Sequence, residues 1–180
     1  MGQAHGQMTS RDGLQLFYRL WEPEAEAKGS IILVHGMAEH TGRYEHVARW
    51  FVERGFVVWA MDHRGHGRSE GLRLYVDRFE RYLTDLHDFV TQAAAERGRP
   101  VLIGHSMGGL IAYRYAAAHP DQVAWLILSS PWFRTKTTMS LIQRLLAPVL
   151  SALMPRLQLP LPFTSELCTQ NVEMHNRDRH

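Results

Sequence analysis

Three short segments carry residue types able to do chemistry together. Gly104-His105-Ser106-Met107-Gly108, followed by Gly109, sets a serine between two glycines at the end of an apolar run. A serine hydroxyl is useful as a nucleophile only where the backbone projects it into a site, and a sharp strand-to-helix turn does that. Glycines on either side let neighbouring backbone pass where a Cβ would clash. Small residues meet this pattern by chance, so context decides. An apolar strand precedes it and a helical pattern follows it, which favours a nucleophile over a plain packing turn. Ser106 is therefore expected to attack a carbonyl. The oxyanion that results needs two backbone N–H donors aimed at one point. His35-Gly36-Met37 closes another apolar run and Met107 directly follows the serine, so the donors are expected at Met37 and Met107. Plain loop packing is the competing role for Met37. His35 reads as orienting that loop by hydrogen bonding, not as a catalytic base.

The third segment is Asp62-His63-Arg64-Gly65-His66-Gly67-Arg68-Ser69. A dinucleotide fingerprint does not fit, because its third glycine falls one residue late, at Gly71. A phosphate loop does not fit either, lacking Gly-Lys followed by Ser or Thr. His63 and His66 have no Cys, His or carboxylate companions at ligand spacing, so no metal site is expected. The segment reads as a structural wall beside the site, and no cofactor is expected. His40, His46, His87, His105 and His119 sit at scattered spacings, and His175 and His180 fall in a polar tail.

The elements that must position these groups follow from periodicity. Leu14, Leu16, Tyr18 and Leu20 alternate with Gln15, Phe17, Arg19 and Trp21, and Asp12-Gly13 signals a hairpin before them. Residues 30–34, 56–61, 100–104 and 123–128 are continuous apolar runs, as strands buried on both faces read. Helical spacing recurs over 44–54, with Gly55 at the expected C-cap, and over 79–93 and 108–118. Strands alternating with helices predict an α/β fold: a mostly parallel sheet covered on both faces. After Trp132 the pattern changes, with a broad apolar stripe over 141–154, then Pro148, Pro155, Pro160 and Pro162 as breaks. Three divisions are expected: a core over 1–133, a helical cap over 134–170 and a polar tail over 171–180.

Composition narrows the partners. With 180 residues, 45% of them hydrophobic and 21% charged, the chain has material for one sizeable core. The formal net charge is +2 and no Lys/Arg block stands out, so nucleic acid is not an expected partner. Cys168 is alone, which excludes an intrachain disulfide and fits a cytoplasmic location. Residues 1–10 lack an apolar core, so no signal peptide is read, and no apolar stretch is long enough to span a bilayer.

Taken together, four blocks resemble the monoacylglycerol lipase and lysophospholipase group of α/β-hydrolases, a group that is also serine aminopeptidase-like. They are His35-Gly36-Met37-Ala38-Glu39-His40-Thr41-Gly42-Arg43-Tyr44, the run from Asp62 extended through Glu70 and Gly71, the Ser106 segment, and Ser129-Ser130-Pro131. The resemblance implies the α/β-hydrolase fold and hydrolysis of small acyl esters through an acyl-enzyme, with an apolar cap over the acyl pocket. That stripe also implies weak contact with a lipid interface. In this fold the acid and the base follow the nucleophile on loops beyond the cap. Asp178 and His180 come in that order but stand two residues apart, too close to serve from separate strand ends. The chain is thus expected to be a shortened form of a longer enzyme, inactive alone. Two alternatives stay open: an aminopeptidase-like hydrolase, and an inactive binding module that keeps the pocket.

Overall fold

The computed structural model describes residues 1–134, so the expected cap beyond its first residue and the tail at 171–180 lie outside the described residues. The chain opens with an antiparallel pair, β1 (Gly2–Thr9) and β2 (Gln15–Glu22), in the register Thr9↔Gln15. The Asp12-Gly13 turn joins them, closed by the Gly13 N–H on the Ser10 carbonyl at 2.9 Å. Sequence reasoning anticipated the hairpin and β2, while β1 carries no apolar alternation and is exposed along its first half. Backbone pairing, not side-chain burial, makes it a strand.

β3 (Ser30–Val34), β4 (Val57–Met61), β5 (Val101–His105) and β6 (Trp125–Ser129) follow, separated by α1 (Glu45–Val52), α2 (Glu80–Arg97) and α3 (Met107–Ala118). The six strands form one sheet in the order β1-β2-β4-β3-β5-β6. β2 lies antiparallel to β4, and β4, β3, β5 and β6 are mutually parallel. Successive residues of a strand face opposite sides, and here each side has its own core. Ile32, Val34, Trp59 and Leu102 pack with Leu86, Phe89, Ile111 and Tyr115 from α2 and α3. Ile31, Leu33, Val58 and Ala60 pack with Ala48 and Val52 from α1. β3 and β4 are buried on both faces, as continuous apolar runs predict.

β6 corrects the expectation that its run is buried on both faces. Trp125 is 74% and Ile127 49% exposed, while Leu126 packs against the α2/α3 core. Apolar composition alone could not separate an edge strand from a central one. The helix over 44–54 is shorter than its pattern: Thr41–Tyr44 is a 3₁₀ turn, α1 ends at Val52, and Gly55 lies beyond its cap at Glu53.

Strand order also creates the crevice. β3 and β5 are neighbours, yet β3 leads through α1 to β4 on one side and β5 leads through α3 to β6 on the other. Where connections diverge in this way, the carboxyl ends of two adjacent strands leave an opening for a ligand. The loop holding Met37 leaves β3 there, and Ser106 leaves β5 there.

Candidate active site

Ser106 stands between the last residue of β5 and the first of α3, with φ 51° and ψ −118°. Positive φ is uncommon for a residue with a Cβ and persists only where the surroundings impose it. The surroundings do so with backbone hydrogen bonds: the Ser106 N–H donates to the Ser129 carbonyl at 3.0 Å, and the Ser106 carbonyl accepts from Trp132 at 2.9 Å. The close glycine contacts anticipated from the sequence are present. A Cβ on Gly108 would sit 2.1 Å from the Val34 carbonyl oxygen and 2.3 Å from that of His35, so helix α3 touches β3 backbone to backbone. Among the described residues the Ser106 hydroxyl bonds to no side chain.

The loop after β3 comes to the serine. A Cβ on Gly36 would lie 3.3 Å from the Ser106 Cβ. Met37 and Met107 line the same cavity, about 300 Å³, with Leu74, Val76, Phe79, Tyr82, Leu110, Trp132, Phe133 and Arg134. The structure thus brings the three sequence-predicted site residues to one place. Met107 opens α3, where the first N–H groups have no intrahelical acceptor. The Met37 N–H has no acceptor among the described residues. Backbone strain marks the same place: Ala38, Leu74, Ser106 and Ser130 are the non-glycine residues with positive φ among those described. Leu74 lines the cavity, and each of the others stands one or two residues from a lining residue.

Two supports of the Met37 loop come from beneath. The buried His35 ring donates from Nδ1 to the Gly36 carbonyl at 2.7 Å and accepts the His63 N–H on Nε2 at 2.9 Å. His63 Nε2 in turn donates to the His35 carbonyl at 3.1 Å. His35 therefore orients the loop, as its place in the sequence suggested, and the partner it uses lies 28 residues on. Burial pulls the His35 imidazole down to about 4. Burial also lowers His63 and His66, whose rings pack around His35 with centroids 4.2 and 5.4 Å away. All three are neutral at pH 7. His63 Nδ1 and His66 Nε2 are buried with no partner among the described residues. No three His, Cys, Asp or Glu side chains converge as a metal site among the described residues.

The segment from Asp62 is the wall that holds this arrangement. Asp62 accepts the Thr41 N–H at 2.7 Å and the Arg68 N–H at 2.8 Å. Arg64 reaches out of it to Asp85 of α2 at 2.7 and 2.8 Å and to Asp12 of the hairpin turn at 2.9 and 3.0 Å. Burial opposes its charge, but the hydrogen bonds to Asp85 and Asp12 outweigh that and raise the guanidinium above its usual value. Glu39 carries no role that its place in the sequence suggests. Its carboxylate, three residues past Gly36, accepts the Gly36 N–H at 2.8 Å and the Tyr44 hydroxyl at 2.8 Å. A glutamate in a loop ordinarily reads as a solvated charge, so only the short spacing to Gly36 could have hinted at this.

Comparison with known proteins agrees with the geometry. A model of the family described as serine aminopeptidase, S33, matches residues 25–179. The monoacylglycerol lipase of Mycolicibacterium smegmatis is 37% identical over 145 residues, 79% of this chain and 52% of that protein. The human monoglyceride lipase is 37% identical over 177 residues, 95% of this chain and 58% of that protein. The chain therefore spans little more than half the length of the curated relatives it matches. Among solved structures, the monoacylglycerol lipase of Paleococcus ferrophilus superposes with a TM-score of 0.77 at 30% identity, over 90% of this chain and 61% of that one. A soluble variant of the Saccharomyces cerevisiae monoglyceride lipase, in complex with a substrate analog, gives 0.81 over 95% of this chain and 59% of that one. Its 23% identity speaks for the fold alone. These superpositions bear out the α/β-hydrolase fold expected from the sequence.

Proposed function

Since this chain belongs to the serine aminopeptidase, S33 family, we propose that the protein hydrolyses carboxylic esters of the monoacylglycerol or lysophospholipid type through an acyl-enzyme on Ser106. The observation that carries this reading is Ser106 at φ 51°, held between β5 and α3 beside a loop whose Met37 shares a cavity with Met107. In this reading the Ser106 oxygen attacks the ester carbonyl, and the Met37 and Met107 N–H groups hold the oxyanion. The histidine that takes the serine proton comes from beyond the described residues. Water then releases the acid.

The family's name also raises aminopeptidase chemistry. An aminopeptidase must hold a substrate ammonium, which calls for a carboxylate in the pocket. Among the described residues the cavity lining contains none, and the one charged residue there is Arg134. An apolar cavity with one cation suits an acyl chain better. Weak contact with a lipid interface belongs to the same proposal and rests on the apolar stripe at 141–154 of the sequence. No helix among the described residues is long and apolar enough to cross a membrane.

The test uses the protein in its complete natural chain. A fluorophosphonate probe is expected to label it at Ser106 and to leave Ser106→Ala unlabelled. Monoacyl esters are expected to turn over faster than aminoacyl arylamides. Labelling that survives the substitution removes Ser106 as nucleophile, and the reverse substrate preference selects the aminopeptidase.

A further inference from the structure

Two adjacent loop amides, those of Gly36 and Met37, stand beside Ser106, and an oxyanion hole needs one donor from this loop. The structure distinguishes them. The Gly36 N–H is engaged by Glu39 Oε2 at 2.8 Å, whereas the Met37 N–H has no acceptor among the described residues. The chain reverses at Ala38, with φ 58°, and this turn brings the Glu39 side chain back over Gly36. There its carboxylate lies close enough that a Cβ on Gly36 would meet Oε2 at 2.9 Å. The same oxygen accepts the Tyr44 hydroxyl at 2.8 Å, and Arg43 Nη1 lies 3.6 Å from Oε1. On the far side, His35 is fixed to His63. The loop is thus clamped from both sides within five residues.

We propose that Glu39 is a positioning residue for the acyl-transfer site: its carboxylate occupies the Gly36 N–H, fixes the turn at Ala38, and leaves the Met37 N–H as the loop's donor to the oxyanion. Glu39 touches no reacting atom in this role. A carboxylate is a stronger acceptor than an ester oxygen, so it outcompetes substrate for the amide it reaches. Burial and the Glu39 charge raise the Tyr44 phenol, so Tyr44 stays protonated and remains a donor. The clamp therefore presents one acceptor to two donors, and reach matters more than charge.

The proposal rests on the ester-hydrolase reading above, and three variants of the full natural chain test it. Glu39→Asp keeps the charge but withdraws the oxygen by one methylene. Its kcat on a monoacyl ester is expected to fall about 10²-fold with KM little changed, the size of effect that a misplaced oxyanion donor produces. Glu39→Gln keeps an acceptor oxygen at full reach, and its kcat is expected to stay within about tenfold of the parent. Tyr44→Phe removes one partner of the same oxygen, and a loss of about three- to tenfold in kcat is expected. Melting temperatures measured alongside separate these losses from unfolding. The proposal is overturned if Glu39→Asp folds and keeps the parent kcat, or if Glu39→Gln loses as much as Glu39→Asp. A rise in KM at constant kcat also overturns it, since Glu39 would then be binding substrate. If Glu39→Asp does not fold, Tyr44→Phe decides, and an unchanged kcat counts against the clamp. A parent whose ester turnover survives Ser106→Ala overturns the ester-hydrolase reading itself, and this one with it.

Discussion

At the residue scale, Ser106 concentrates strain where the chemistry is proposed. A non-glycine residue at φ 51° and ψ −118° is held against its own preference, at a cost of order 1–3 kcal/mol. Glycine adopts that conformation without a Cβ penalty, though it loses about 0.5–1 kcal/mol through the greater freedom of its unfolded chain. Ser106→Gly is therefore expected to be more stable than Ser106→Ala by about 1 kcal/mol, with both devoid of ester turnover. Urea unfolding of the two variants side by side measures this. Equal midpoints would mean that the elbow stores no strain. The pattern around Ser106 was legible because glycines at 104 and 108 and the preceding apolar run are local facts. Glu39 was not legible, because nothing local distinguishes a carboxylate that folds back on an amide from one in water.

At the element scale, one arginine joins three pieces that periodicity treats separately. Arg64, in the loop after β4, bonds to Asp85 on α2 and to Asp12 in the β1–β2 turn. Arg64 and Asp85 side chains are only 7% and 2% exposed. Removing one partner of such a pair strands the other charge without water, at a cost of about 3–5 kcal/mol. Arg64→Met is expected to lose stability on that scale, and adding Asp85→Leu is expected to recover a good part of it. A double-mutant cycle in urea reads the coupling. A double variant no more stable than Arg64→Met would show that the pair is not the tie between loop and helix. Arg64 sits amid glycines and histidines in the sequence, where its two carboxylate partners, 21 and 52 residues distant, leave no trace.

At the scale of the whole molecule, the buried histidines make stability depend on pH. His35 is pulled down to about 4 by burial, His63 and His66 are lowered by burial too, and Asp62, Glu39 and Arg73 supply the surrounding charges. In the unfolded chain each would titrate near an ordinary value of about 6.5. Between about pH 6.5 and 4 the unfolded state binds more protons than the folded one, so stability falls as pH falls. His35 removes up to about 1.4 kcal/mol per pH unit in that window, His63 and His66 act in the same direction, and above about pH 7 the contribution is flat. Asp12, lowered chiefly by its hydrogen bond from Arg64, loses its contribution only below about pH 4 to 5, so the two effects separate. Unfolding free energy is expected to drop by about 2 kcal/mol or more from pH 6.5 to 5. A flat profile across that interval would mean that the three rings are not neutral and buried in the folded protein.

The sequence by itself determined the local events. Apolar runs at 30–34 and 56–61 became the strands Ser30–Val34 and Val57–Met61, buried on both faces, Asp12-Gly13 became a hairpin turn, and Gly104-His105-Ser106-Met107-Gly108 became a strand-to-helix elbow. Each depends on residues within a few positions of one another, where side-chain period and backbone freedom act directly. Only the tertiary structure decided that β3 lies beside β5, and so that the Met37 loop meets Ser106. The same holds for the half-exposed β6, the His63 support under His35, and the Arg64 bridge to α2. These depend on which distant segments pack against each other. Hydrophobic burial, the force behind that packing, follows area and has no direction, so the sequence pattern marks what is buried without naming its neighbour.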